Sequence, residues 1–251
     1  NTDGANTLAA FPAHVNENDF AAYAGGCVTA NTNTGWAKIE VPLSYFDALF
    51  TDTANVAVEF AIESTCGKWH DCYIENTDGS GRFGTYRLPA NGTGHAVLKK
   101  ESYTALKNAN KNLAVQILSG NGSSEGMEDF SAWIEASSLR GVTGACFEEG
   151  SNTVTWPAFA IPDSMFDFTN GSVTITIRHN YMGAIDFYTR WTASAIKSTY
   201  AQYGGQLTIT REQYEACCAV EGNKGVLWVT CNNTADSYVT AWVVSVEPTA
   251  A

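Results

Sequence analysis

The sequence predicts an all-β protein of two tandem domains of one kind, each an antiparallel β-sandwich or barrel, made by internal duplication. Three observations carry this expectation. First, the chain states its pattern twice: Trp36, Pro42 and Phe46 recur at the same spacing as Trp156, Pro162 and Phe166. Further landmarks follow in the same order. Asp71-Cys72-Tyr73 answers Asp186-Phe187-Tyr188, and Lys100-Glu101-Ser102-Tyr103 answers Arg211-Glu212-Gln213-Tyr214. Asn110-Lys111 answers Asn223-Lys224, Ser131-Ala132-Trp133 answers Thr240-Ala241-Trp242, and Cys27 and Cys146 precede their tryptophans at similar distances. Second, several runs alternate apolar and polar residues with the period of two that marks a half-buried strand. Third, turn signals separate these runs at about 8–12 residues, the spacing of a sandwich or barrel. A repeat this long is a whole domain, because solenoid units repeat every 20–50 residues or so.

Taken in order, residues 1–25 are polar and alanine-rich and have no counterpart in the second copy, so they read as an N-terminal extension. The first domain covers 26–138, a short linker 139–145, and the second domain 146–251. An aromatic strand ends in Val-Pro or Ile-Pro and is followed by a short segment closing on Phe46 or Phe166. Val56 to Ile62 and Val173 to Ile177 are the next strands, the second in strict alternation with Thr174, Thr176 and Arg178. A strand carrying Asp-x-Tyr comes next, then a glycine-rich turn and a strand ending in (Lys/Arg)-Glu-x-Tyr. Tyr103 to Asn110 and Gln213 to Val220 read as one short helical turn each. Val226 to Cys231 is β-branched and aromatic, and Tyr238 to Val246 forms the last strand. Asp78-Gly79, Asn121-Gly122, Asn170-Gly171, Gly204-Gly205 and Asn232-Asn233 mark the turns.

Composition narrows the function. The 251 residues are 45% hydrophobic and 16% charged, which suits packed domains and not a disordered chain. A net charge of −12 repels polyanions, so nucleic acid and anionic membrane surfaces are poor partners. No apolar run reaches the ~20 residues that span a bilayer. Seven cysteines leave at least one without an intrachain partner. Cys72 stands where the other copy has Phe187, Cys217 opposite Leu106, and Cys231 opposite Leu118. Cysteines that replace large apolar residues read as buried free thiols, which points to a reducing or anoxic setting. Cys66–Cys72 and Cys218–Cys231 remain open as bridges.

The order of these elements in both copies resembles the jelly-roll β-sandwich of carbohydrate-binding modules attached to plant-cell-wall-degrading enzymes and cellulosomes. The likeness covers about residues 26–138 and 142–248. It implies a non-catalytic, secreted or cell-surface module that holds polysaccharide, monomeric within a larger multimodular protein. Combined with free thiols, it points to an anaerobic bacterium. Such modules commonly carry a structural calcium, for which no Asp-x-Asp-x-Asp loop appears here; no other cofactor is implied.

No Walker-type loop and no His-Glu-x-x-His is present, and the four histidines do not recur at equivalent positions. These absences argue against an enzyme. On a strand, Asp71, Tyr73 and Glu75 face one way and Cys72 and Ile74 the other. Trp69 shares the outward face, and in the second copy Asp186, Tyr188 and Arg190 do the same, with Trp191 beside them. Sugars stack their C–H faces on aromatic rings and bond their hydroxyls to planar polar groups. The eight residues Trp69, Asp71, Tyr73, Glu75, Asp186, Tyr188, Arg190 and Trp191 are therefore the candidate carbohydrate site. Trp36, Trp133, Trp156 and Trp242 recur in both copies and read as core. Trp228 aligns with Val115 and reads equally as core or as ligand-facing. The expected ligand is cellulose or another plant β-glucan or hemicellulose. The rival reading is a structural subunit of a surface layer, filament or phage-type assembly, with the N-terminal arm joining neighbours.

Overall fold

The computed structural model describes residues 23–30, 36–79, 81–118, 129–143, 146–149, 158–180, 184–189, 198–220, 226–232 and 239–250. The chain divides into two compact units, 1–141 and 142–251. The first contains β1 (Tyr23–Ala30), β2 (Trp36–Val41), α1 (Ser44–Thr51), β3 (Ala57–Ser64), β4 (His70–Asn76), β5 (Arg82–Leu88) and β6 (Thr93–Lys99). It continues with α2 (Lys100–Ala109), β7 (Leu113–Leu118), β8 (Phe130–Glu135) and β9 (Arg140–Val142). The second contains β10 (Cys146–Glu149), β11 (Ala158–Pro162), β12 (Ser172–His179), β13 (Ala184–Thr189) and β14 (Ser198–Gln202). It closes with β15 (Gly204–Thr210), α3 (Arg211–Cys218), β16 (Val226–Asn232) and β17 (Val239–Pro248).

The strands pair into four antiparallel sheets. In the first unit the orders are β1-β8-β3-β6 and β2-β7-β4-β5. In the second they are β10-β17-β12-β15 and β11-β16-β13-β14. Counted from its own first strand, each unit has the same order. Eight strands wound as two Greek keys into two sheets make a jelly roll. The register repeats as well: Cys27 stands opposite Trp133, and Cys146 opposite Trp242.

Alternation explains which face is buried. In β12 every second residue is buried, so Val173, Ile175 and Ile177 enter the core while Thr174, Thr176 and Arg178 turn outward. They meet Leu207 and Ile209 from one sheet and Phe187, Leu227 and Val229 from the other. In the first unit Phe46 of α1 meets Phe60 of β3 edge-to-face, with ring centres 6.0 Å apart. Tyr86 of β5 reaches β6 in the opposite sheet, where its hydroxyl donates to the Val97 carbonyl at 3.0 Å and accepts from its N–H at 3.3 Å. Its ring needs the space left by Gly84, where a Cβ would stand 2.6 Å from Cε2. A bulge in β1 between Tyr23 and Cys27 places Gly25 and Gly26 at φ 84° and 85°, a region costly for residues with a Cβ.

Four sequence expectations need correction. The extension does not reach residue 25, because β1 begins at Tyr23. The 139–145 linker is in part a strand: Arg140–Val142 pairs with β3. The (Lys/Arg)-Glu-x-Tyr motif opens a helix and does not end a strand. Residues 100–109 form a 10-residue helix closed by Asn110 in the left-handed region, and 211–218 one opened by a Thr210–Gln213 capping box. The helical tyrosines have a packing role. Tyr103 donates to Asp47 at 2.7 Å and stacks on Phe50, while Tyr214 donates to Asp163 and packs on Phe166. Finally, the segment after Pro42 is helix α1, whereas the one after Pro162 makes only a 3₁₀ turn.

Cys27, Cys66, Cys72, Cys217 and Cys218 are free thiols, so neither proposed bridge is formed. Burial raises the Cys27 thiol to about 11 and lifts Cys72 further in the same direction. Both are protonated at neutral pH and sheltered from reagents. Thiol titration of denatured, unreduced protein is therefore expected to count at least five, with most reacting slowly before denaturation. A count of one in the denatured state would reverse this assignment.

Candidate functional site

In the first unit the row lies on the outer face of β4, next to edge strand β5. Cys72 and Ile74 are buried, while Asp71 and Tyr73 are half-buried on the other face. Glu75 shares that face but is 7% exposed. Two arginines of β5 organise the row. Arg87 stands opposite Asp71, pairs with it through Nε at 2.9 Å, and lays its guanidinium 4.1 Å from the Trp69 ring centre. Arg82 stands opposite Glu75, approaches its carboxylate at 3.8 Å, and lies 3.6 Å over the Tyr73 ring. Each aromatic ring is thus covered on one side by a guanidinium that also neutralises a carboxylate. Such half-exposed pairs contribute little stability, about 0–1 kcal/mol each, and the cation–π contact adds a similar amount. Their main effect is to hold the two rings in place.

Sequence reasoning missed both arginines. Arg82 and Arg87 are five residues apart, so simple alternation puts them on opposite faces. A bulge intervenes: Ile74 pairs with Gly84 but Glu75 pairs with Arg82, leaving Phe83 as the extra residue. A bulge resets the alternation and returns Arg82 to the outer face. Nothing in the local sequence marks it.

In the second unit Asp186 and Tyr188 lie half-buried on the outer face of β13, and the Tyr188 hydroxyl donates to Asp186 at 2.8 Å. That bond to the carboxylate raises the phenol above its usual range. Arg190 and Trp191 lie outside the described residues. Register resolves Trp228. Tyr73 stands opposite Gln116 and Tyr188 opposite Thr230, so Trp228 corresponds to Ala114 and not to Val115. The sequence alignment slipped by one residue at this strand, and a one-residue slip exchanges faces. Cys231 likewise corresponds to Ile117, not Leu118. Leu227 and Val229 enter the core, while Trp228 is half-buried on the same face as Tyr188.

Among the described residues, no group of three His, Cys, Asp or Glu side chains could hold a metal ion. A depression of about 330 Å³ is lined by Thr29, Ala30, Thr65, Asp129, Phe130 and Ser131. Its lining has one carboxylate, Asp129, beside hydroxyl and apolar side chains. A Gly-x-Ser-x-Gly string at 122–126 lies outside the described residues. It falls between strands β7 and β8. No described helix is long and apolar enough to cross a membrane.

No family model and no curated protein matches this chain. Among solved structures it is similar to the PBSX exported protein XepA, with 7% identity over 88% of this chain and 82% of that one, at a TM-score of 0.23. The major capsid protein P2 of bacteriophage PM2 shows 10% identity over 89% and 92%, at 0.26. A protein described as secreted, from Parabacteroides distasonis, shows 11% identity over 91% and 90%, at 0.22. Likeness at that level carries no argument about this chain's activity.

Proposed function

We propose that the chain is a non-catalytic polysaccharide-binding protein, acting outside the cell or at its surface as part of a larger multimodular protein. One observation supports this most. In both units a partly exposed tyrosine and a carboxylate, with a tryptophan nearby, share the outer face of the sheet formed by each unit's second, seventh, fourth and fifth strands. This combination suits a β-linked glucan or hemicellulose, whose sugar faces stack on rings and whose hydroxyls need planar polar partners. Two such faces on one ligand chain would also raise avidity.

The test is retention on insoluble cellulose together with retardation in gels containing soluble β-glucan. Tyr188→Ala is expected to weaken binding about fivefold or more, the value of one aromatic contact near 1 kcal/mol, with the melting temperature unchanged. Wild-type protein that behaves like an inert control on every glucan would overturn the proposal. The jelly roll also serves capsid subunits, and fold alone does not choose between these roles. Size-exclusion chromatography separates them: a binding module elutes as a monomer, an assembly subunit as larger species.

A further inference from the structure

Resting on the glycan-binding reading, we propose that the second unit carries the affinity, with Trp228 as its main stacking platform for an uncharged β-glucan. The equivalent positions on the two sheet faces differ in chemistry. In the first unit Glu40 stands opposite Ala114, and Lys38 opposite Gln116. In the second, Ala160 stands opposite Trp228, and Ala158 opposite Thr230. The two charged residues give way to alanines, Ala114 to a tryptophan and Gln116 to a threonine. Ala114 is fully buried, so the first unit has no ring where Trp228 stands half-buried, its indole nitrogen covered and part of its ring accessible.

The spacing suits a sugar chain. Trp228 is the diagonal neighbour of Tyr188 across the β16–β13 pair, which places such residues about 7–8 Å apart. Both rings stand on one face of rigid sheet. Between them, Thr230 is 7% exposed and its hydroxyl has no hydrogen-bond partner among the described residues. Ala160 lies on edge strand β11 and keeps the space beside the indole small and uncharged. Charge selects the ligand class: a chain of net charge −12 repels acidic polysaccharides, and the carboxylate on this face, Asp186, accepts a hydrogen bond from Tyr188. In the first unit Trp69 and Tyr73 are each covered on one side by an arginine already paired with a carboxylate.

The experiment compares the full chain with Trp228→Ala, Ala160→Arg and Trp69→Ala. Retardation is measured in gels containing hydroxyethylcellulose or mixed-linkage β-glucan, with thermal melting run on each sample. Trp228→Ala is expected to weaken binding about tenfold, the loss that 1.4 kcal/mol represents, while Trp69→Ala weakens it less, about threefold. Ala160→Arg adds a cation beside the indole without removing any packing, and it is expected to weaken binding to a similar degree. It therefore decides the matter even if Trp228→Ala melts early. If Trp69→Ala loses binding and both second-unit variants keep it, this assignment fails and the glycan reading stands. If the wild-type chain is retarded by neither polymer, both fail together.

Discussion

Replacing Trp242 by alanine is expected to destabilise the second unit by about 3–5 kcal/mol, the range for removing a large aromatic from a core. Its side chain is fully buried, on β17, on the sheet face it shares with its cross-strand partner Arg178 of β12 and opposite to that of Ala241 and Val243. No neighbouring strand can move into the cavity without breaking its own ladder. A domain's whole stability is about 5–15 kcal/mol, so this one change removes a large share. Urea unfolding should show a lower midpoint with an unchanged slope. The equivalent Trp133→Ala, at 8% exposure, is expected to act in the same direction in the first unit. A loss below about 1 kcal/mol at Trp242 would mean that the indole is not core, against the range above.

Arg140→Ala is expected to cost about 1–3 kcal/mol through the charge it leaves behind. Glu59 of β3 has a carboxylate only 2% exposed, held by Arg140 of β9 at 3.0 and 3.2 Å and by His95 Nδ1 at 3.1 Å. Arg140 is half in solvent, which keeps the loss towards the lower end. His95 does not replace the lost charge at neutral pH, because burial and then the Arg140 guanidinium hold its imidazole below the usual range. Removing Arg140 lifts one of those two causes, so the imidazole then titrates higher, beside Glu59. A histidine held below its unfolded value of about 6.5 costs stability as pH falls through that value, so relaxing the depression removes part of that cost at pH 6 and has no effect at pH 8. The deficit of Arg140→Ala is therefore expected to be larger at pH 8 than at pH 6. Adding Glu59→Gln should recover part of it, since a neutral amide is cheaper to bury than a lone carboxylate. An Arg140→Ala chain as stable as wild type at both pH values would sink this account.

Much of the architecture was legible because strands obey a local rule. Alternation placed Val173, Ile175 and Ile177 inside, and it put Asp71 and Tyr73 on the face opposite Cys72 and Ile74. The matching landmarks led to two domains of one kind, and the two units have the same strand order. Helices were harder. The Pro42 segment and the Lys100 motif are too short to show a helical period, and their helices rest on tertiary partners such as Phe60 and Asp47.

By itself, then, the sequence determined the β class, the pair of domains and the side of β4 and β13 on which the Asp-x-Tyr residues lie. Only the tertiary structure decided what those residues meet. Arg82 joined the row through a bulge, and Trp228 came to stand beside Tyr188 through a register that local sequence does not encode. The physical reason is that side-chain direction follows from a residue's own strand, whereas its neighbours are set by pairing with strands distant in the chain. One residue of slip, or one extra residue in a bulge, exchanges core and surface without altering the local pattern.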